Sequence, residues 1–518
     1  MDFYQSAPNL AEHLQNAFTQ DRRLVGVAEG LRRRLDARVF QDVESQWQRC
    51  GRLAFTEWLR WSELAESELP RHIAFDAWGK RVDEIRMSRG WSELEAVAAQ
   101  EGIVATAYER KQGEYSRVVQ GGLLYLFHAS SAFVSCPLAM TDGAARALEL
   151  YANDDQKRRW LSHLLSRDPA KFWTSGQWMT ERAGGSDVSG TSTLAKRVGN
   201  EWRLEGVKWF TSATTSQMSL LLARPEGAES GSRGLSLFAL ELRDANAKLR
   251  NIEVLRLKDK LGTKALPTAE LRLMGAPAEL LGGEGQGVKK ISALLNITRY
   301  YNSVCATAHM RRALDLAQVY SDLRQAFGRK LREHPLHAST LARLEAEFEK
   351  CFDLTFFIAH LLGRDEVGLA SEDERVLLRA MTPIVKAYTA KRCMEVVSEV
   401  VEIFGGAGYV EDTGIPKLLR DAQVFSIWEG TTNVLALDLV RAFAKEGAGP
   451  VLLKFLEAKL GPGTTGAQQM TAATRAQWDF CRQLLAGDAS KLEPQARELL
   501  MSSAELLALA IRDHWSSN

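Results

Sequence analysis

The 518-residue sequence has almost no surplus of either charge: 66 Lys and Arg against 65 Asp and Glu leave a formal net charge of +1. Nothing in that balance calls for a polyanionic partner such as nucleic acid. Cysteine is sparse: Cys50, Cys136, Cys305, Cys351, Cys393 and Cys481 are scattered, with no C-x-x-C pair. That disfavours a disulfide framework or a structural zinc site and points to a reducing compartment. No G-x-G-x-x-G follows a predicted strand and no G-x-x-x-x-G-K-[ST] occurs, so dinucleotide-fold and P-loop readings are weak. The opening MDFYQSAPNL lacks a basic stretch followed by an apolar core, so no secretory leader is expected and the predicted location is cytoplasmic. Residues 118–141 carry no acid, Lys or Arg, yet hold Gln120, His128, Ser130, Ser131, Ser135 and Pro137. That is too polar for a comfortable membrane span, and the reading is a helix buried among other helices.

What is present is an ordinary globular composition, 45% hydrophobic and 25% charged, in a chain long enough for two to four domains. Residues 1–171 read as helical: FQDVESQWQRCGRLAFTEWLRWSELAE sets apolar positions at helical spacing between charges, and Asp154-Asp155 mark the start of a new helix. The texture changes over residues 172–287, where short runs such as EWRLEGVKWFTS, SLLLARPEG and GLSLFALEL are punctuated by glycine and proline. These are strands of a small antiparallel sheet domain, with Gly199-Asn200 as a hairpin turn. Residues 288–443 return to long helices, and 444–518, beyond the EGAGP break, are helical again. The expected class is α+β, mainly α. A strand block between helical ones, without alternating βα units, disfavours a Rossmann core.

Four clusters have the composition of a site. MTERAGGSDV (179–188) sets the hydroxyls of Thr180 and Ser186 around Gly184-Gly185, where backbone N–H groups can approach a planar polar ligand or a phosphate. It reads equally as a plain loop. KWFTS (208–212) places an aromatic pair beside two hydroxyls, and core packing explains it as well. LRQAFGR (323–329) ends a helix with Arg324, suited to a phosphate, and Phe327; a solvated basic helix end is the alternative. IFGGAGY (403–409) runs a helix into a glycine turn. Downstream, SIWEGTTN (426–433) holds one carboxylate between bulky apolar residues and a glycine: either a solvated helix start capped by Thr or Asn, or a base in a partly dry pocket.

Together and in this order, the clusters resemble the acyl-CoA dehydrogenase superfamily of flavoproteins over roughly residues 100–443. The details SIWEGTTN, LKDKLGTKALPTAELRL and the extra C-terminal helices look most like its AidB-like branch. The resemblance implies an N-terminal helical domain, a central antiparallel β domain, a C-terminal four-helix bundle and an added helical segment. It implies FAD as cofactor, with Met179, Thr180, Gly185, Ser186, Trp209, Phe210 and Ser212 on the flavin side. Arg324, Phe327, Gly405 and Gly406 are implied at the pyrophosphate and adenosine, commonly of a neighbouring subunit's FAD; Gly430, Thr431 and Asn433 follow the base. Glu429 is implied as the catalytic base, with Ser186 and Arg299 near the substrate. Pro335, Ala326 and Asn296 depart from the superfamily pattern, which puts the usual cofactor and CoA contacts at those positions in doubt.

The implied reaction is α,β-desaturation of an acyl-CoA: Glu429 removes an α-proton and the β-hydride goes to flavin N5. A carboxylate is too weak a base for this in water, so burial beside Trp428 and hydrogen bonds to the thioester oxygen would both serve the step. The implied partners are an acyl-CoA, an electron acceptor of the electron-transfer flavoprotein kind, and further copies of the chain in a homodimer or homotetramer. A rival function is an AidB-like flavoprotein that binds DNA or protects it from alkylation, with little dehydrogenase turnover. Eight Lys and Arg against eight Asp and Glu from Ala444 onward give that rival no basic extension. An oxidase acting on a nitroalkane or an acyl-CoA with O₂ is a third option; its nitroalkane-oxidising members typically carry Asp where Glu429 stands.

Overall fold

The computed structural model describes residues 35–487 and 491–512, so the expectation of helix over the first 34 residues lies outside the described part. The chain forms two compact units. One comprises Trp58–Tyr108 and Ser130–Thr298; the other comprises the segment ending at Glu57, Glu109–Ala129, and everything from Arg299 onward.

The first unit is built on a sheet. Its strands are β3 (Ser175–Trp178), β4 (Leu194–Val198), β5 (Glu201–Ser212), β6 (Met218–Pro225), β7 (Ser236–Glu241), β8 (Ile252–Leu257) and β9 (Thr268–Leu281). Most pairings are antiparallel, but β3 and β4 both run parallel to β6. Because β6 pairs with β7, β7 with β9, β9 with β5, β5 with β4 and β4 with β6, the sheet closes on itself and leaves few free edges. Strand alternation explains how it is filled. Leu221 and Ala223 on β6 and Phe238 and Leu240 on β7 pack with Trp178, Leu204 and Val254 in one core. Their neighbours Leu220, Leu222, Leu237 and Ala239 pack in a second core with Leu148, Trp160 and Leu294 from helices of the same unit. Both faces are therefore buried, and the runs read as nearly continuous hydrophobic sequence.

The N-terminal part is not all helix. A hairpin, β1 (Arg71–Phe75) and β2 (Arg81–Arg86), interrupts it. Its turn is set locally: Asp76 accepts from the Trp78 and Lys80 amides at 2.9 Å, and Gly79 takes φ +77°. Asp83 is buried and receives His72 at 2.8 Å, Arg81 at 2.7 Å and the Val254 amide at 3.2 Å, tying the hairpin to β8. The uncharged stretch 118–141 is also divided, into helices Ser116–His128 and Ser135–Tyr151, with Ala132 and Phe133 left-handed between them. Among the described residues no helix is long and apolar enough to cross a membrane.

The second unit is helical. Its longest members are Gly287–Leu323 (from Arg299), Pro335–Glu366 and Glu372–Ile403, followed by Ile415–Ala422 and Thr432–Glu446. Helix 372–403 begins with a capping box, Ser371 to Glu374, and three acids in its first turn, which suit the positive end of the dipole. The C-terminal helix Ala496–Arg512 is attached by charge: Glu505 receives Lys350 and Tyr388 at 2.7 Å and Arg392 at 3.0 Å.

Candidate active site

The singled-out residues fall in both units, and each group has its own geometry. In the sheet unit, β3 delivers the chain to Met179, whose side chain is anchored in the core while the loop after it turns outward. Two backbone bonds of 3.1 Å between Glu181 and Gly184 close that loop. Glu181 is its root. Its carboxylate receives Lys208 at 2.8 Å, the Thr193 hydroxyl at 2.5 Å and both the amide and hydroxyl of Ser192 at 2.7 and 2.6 Å. Burial would raise the Glu181 pKa; the Lys208 charge and these hydrogen bonds outweigh it and bring the pKa down to about 2. A Cβ on Gly185 would meet the Thr180 side chain at 3.0 Å, so glycine is what lets the loop lie against it. Ser186 is exposed beyond it.

The KWFTS strand joins this loop directly, as the Trp209 amide donates to the Thr180 carbonyl at 2.9 Å. Between Lys208 and Thr211 the register with β9 slips by one residue, a bulge covering Trp209 and Phe210. The bulge leaves Phe210 49% exposed inside an otherwise packed barrel, while Thr211 turns inward and bonds the Ala269 carbonyl. Ser212 shares a 3.1 Å hydrogen bond with Thr268. Trp209 has the Lys258 ammonium 3.3 Å from its ring centroid and the Arg182 guanidinium at 5.0 Å.

In the helical unit, Glu429 lies in a turn between helices 415–422 and 432–446 and is partly exposed. Its φ is +57°, left-handed for a non-glycine residue, and Gly430 follows at +103°. Three successive residues of this turn are held by side chains. The Trp428 indole donates to Asn302, the Glu429 carbonyl accepts from Arg299 at 3.3 Å, and the Gly430 carbonyl accepts from Lys386 at 2.6 Å. Arg299, expected at the substrate, commits its guanidinium to this carbonyl and to Asp438 at 2.7 Å. Thr431 occupies the N-cap of helix 432–446 without a side-chain capping bond, and Asn433 accepts from Arg497 at 3.3 Å, so neither caps the helix start as the simpler reading had it.

The LRQAFGR segment is a two-residue hairpin, β10 (Gln325–Ala326) with β11 (Arg329–Lys330), carrying Phe327 at its tip with φ +51° and 98% exposure. Arg324 is exposed and unpaired among the described residues. Gly405 needs its glycine for φ +57°; Gly406 has open space around it.

The sequence matches three family descriptions in order: adaptive response protein AidB N-terminal domain over 8–169, acyl-CoA dehydrogenase middle domain over 176–276, and acyl-CoA dehydrogenase C-terminal domain over 285–444. The putative acyl-CoA dehydrogenase AidB of Escherichia coli is 32% identical over 418 residues, 79% of this chain and 75% of that one. The chain belongs to the acyl-CoA dehydrogenase family. Among solved structures, ACDH-11 of Caenorhabditis elegans in complex with C11-CoA is 41% identical with a TM-score of 0.91, covering 97% of this chain and 88% of that one. The apo form of Bd2924 is 56% identical with a TM-score of 0.90, covering 97% and 98%.

As an acyl-CoA dehydrogenase family member the protein is an oxidoreductase, and its cofactor is FAD. The sheet unit fits such a group. Gly185 presses the loop against Thr180, Ser186 and Phe210 are open, and Gln177 has a buried side-chain oxygen with no partner among the described residues. A buried acceptor of that kind is satisfied by an N–H such as the flavin ring carries. Gln177, Lys258, Asn302 and Lys386 were not singled out by sequence. Lys258 is the second residue of the quoted LKDKLGTKALPTAELRL run, but nothing in the spacing of the other three marks them.

Proposed function

We propose that this protein desaturates an acyl-CoA thioester between Cα and Cβ, with Glu429 as the base that takes the α-proton. The observation that carries the reading is the turn at Trp428–Gly430: a carboxylate on a left-handed residue, held on three successive residues by Asn302, Arg299 and Lys386. Backbone strain persists where surrounding structure over-determines it, and it concentrates at reacting centres. FAD, when bound, supplies the two-electron acceptor for the β-hydride. Met179, Thr180, Gly185, Ser186, Trp209, Phe210 and Ser212 are proposed to hold and orient that cofactor, and Arg324, Phe327, Gly405, Gly406, Gly430, Thr431 and Asn433 to bind it as well. Ser186 and Arg299 are proposed to adjoin the substrate, Arg299 while also bonding the Glu429 carbonyl. The division at residues 171, 287 and 443 belongs to the same proposal.

An acyl-CoA as substrate is supported by the relative solved with C11-CoA. The fully exposed, left-handed Phe327 beside the unpaired Arg324 supports a homodimer or homotetramer in which a second copy covers this tip. Electrons would pass on to an acceptor such as an electron-transfer flavoprotein, in a cytoplasmic setting.

Glu429→Gln decides the reading. The variant should keep the yellow FAD complex and lose bleaching by an acyl-CoA that bleaches the wild type, a fall of at least about a thousandfold. Bleaching at the wild-type rate would reject Glu429 as the base. A titration with duplex DNA addresses the AidB-like alternative: we expect no submicromolar, steeply salt-dependent binding, and its appearance would favour that function.

A further inference from the structure

Three side chains from two helices hold the Glu429 turn, and one of them is unusual. Lys386 is 0% exposed, and among the described residues its Nζ makes a single hydrogen bond, the 2.6 Å donation to the Gly430 carbonyl. Among the described residues it makes no ion pair with a carboxylate. An ammonium in such a place costs free energy that an apolar side chain of similar length would not. The charged groups facing it are Glu429, which attracts it, and Arg299, which repels it. Three residues earlier its helix contains Pro383, which has no N–H to give the preceding turn and loosens the backbone there.

We propose that Lys386 is a positioning residue for the reaction: its side-chain nitrogen clamps the Gly430 carbonyl and thereby fixes the left-handed turn that presents Glu429. This rests on Glu429 being the base. The clamp complements Arg299, which takes the preceding carbonyl and is itself steadied by Asp438 at 2.7 Å. Gly430, at φ +103°, is free to swing in the absence of a partner, because glycine has no Cβ to restrict it. A fixed Gly430 carbonyl therefore sets the direction of the residue before it.

The test uses the purified flavoprotein and the rate of flavin bleaching by a saturating acyl-CoA, in Lys386→Met, Lys386→Arg and Glu429→Gln. Lys386→Met should retain FAD, melt no lower than the wild type because a buried charge is gone, and bleach on the order of tenfold or more slowly with unchanged half-saturation. Lys386→Arg, which keeps donor and charge, should recover part of that rate. If Glu429→Gln still bleaches, the base assignment fails and this inference with it. If Glu429→Gln is silent while Lys386→Met bleaches at the wild-type rate, the base stands and the clamp is rejected. A Lys386→Met protein that loses FAD or fails to fold, or a Lys386→Arg protein no faster than it, equally rejects the clamp.

Discussion

Lys208 in the sheet unit and Lys386 in the helical unit are both wholly buried, and they are solved in opposite ways. Lys208 lies 2.8 Å from the Glu181 carboxylate and 3.1 Å from the Leu222 carbonyl, inside a barrel whose neighbouring hydroxyls complete the carboxylate's hydrogen bonds. Among the described residues Lys386 bonds a carbonyl and no carboxylate. The first arrangement is a staple: it fixes the root of the loop that carries Thr180 and Ser186. The second is a cation kept at a cost beside the proposed base. Burial lowers the pKa of both, but only Lys208 has a full ion pair pulling it back up, while Lys386 is brought to about 7. Burying a lysine thus teaches little by itself; what it is paired with separates a structural staple from the proposed positioning role.

The largest way to test that difference is to strand the partner. Lys208→Met leaves Glu181 buried and uncompensated, and should destabilise the fold by about 3–5 kcal/mol in denaturant unfolding. Adding Glu181→Leu should return part of that loss while the flavin-side loop loses its anchor and FAD retention falls. If Lys208→Met were neutral, the contrast between the two lysines would disappear.

A smaller effect concerns pH. With Lys386 brought to about 7 from an ordinary 10.5, the unfolded chain binds more protons than the folded one between those values. Stability due to this group therefore rises with pH from about 7 to about 10, and below about 7 both forms are protonated and the dependence ends. Unfolding of wild type and Lys386→Met, compared at pH 7 and pH 9, should show the rise in the wild type alone.

The smallest effect lies in the intermediate case, the Glu505 network. Burial works to raise the Glu505 pKa, yet hydrogen bonds from Lys350 and Tyr388 outweigh it and hold it below the ordinary carboxylate value. This contribution is present above the unfolded pKa and is lost as pH falls through the folded one. Glu505→Gln should cost about 1–2 kcal/mol at neutral pH, read from chemical denaturation, and leave bleaching unchanged.

Much of this was legible in the sequence, in ways that have physical causes. The helical and strand blocks showed as periods of helical spacing and short punctuated runs, because each buried face has to repeat along its own element. The Gly199-Asn200 turn and the glycine at 185 are local, and local rules find them. The hairpin β1–β2 was missed because it is two short strands in a helical setting, secured by Asp83 reaching β8 some 170 residues away.

The site divides the same way. Glu429 between Trp428 and Gly430 is visible as a string of residues, and so are the segments proposed to meet the flavin. That Arg299, Asn302 and Lys386 converge on three consecutive residues is invisible, because they come from two helices 84 residues apart in their contacts, from Asn302 to Lys386. By itself the sequence determined the family, most of the elements and the acid at the turn, since these follow from spacing and residue type. Only the tertiary structure decided that β4, β5, β9, β7 and β6 close into a barrel and that a left-handed glutamate is held by Arg299 and the buried Lys386. Both depend on contacts between distant segments, and such contacts leave no period in a chain.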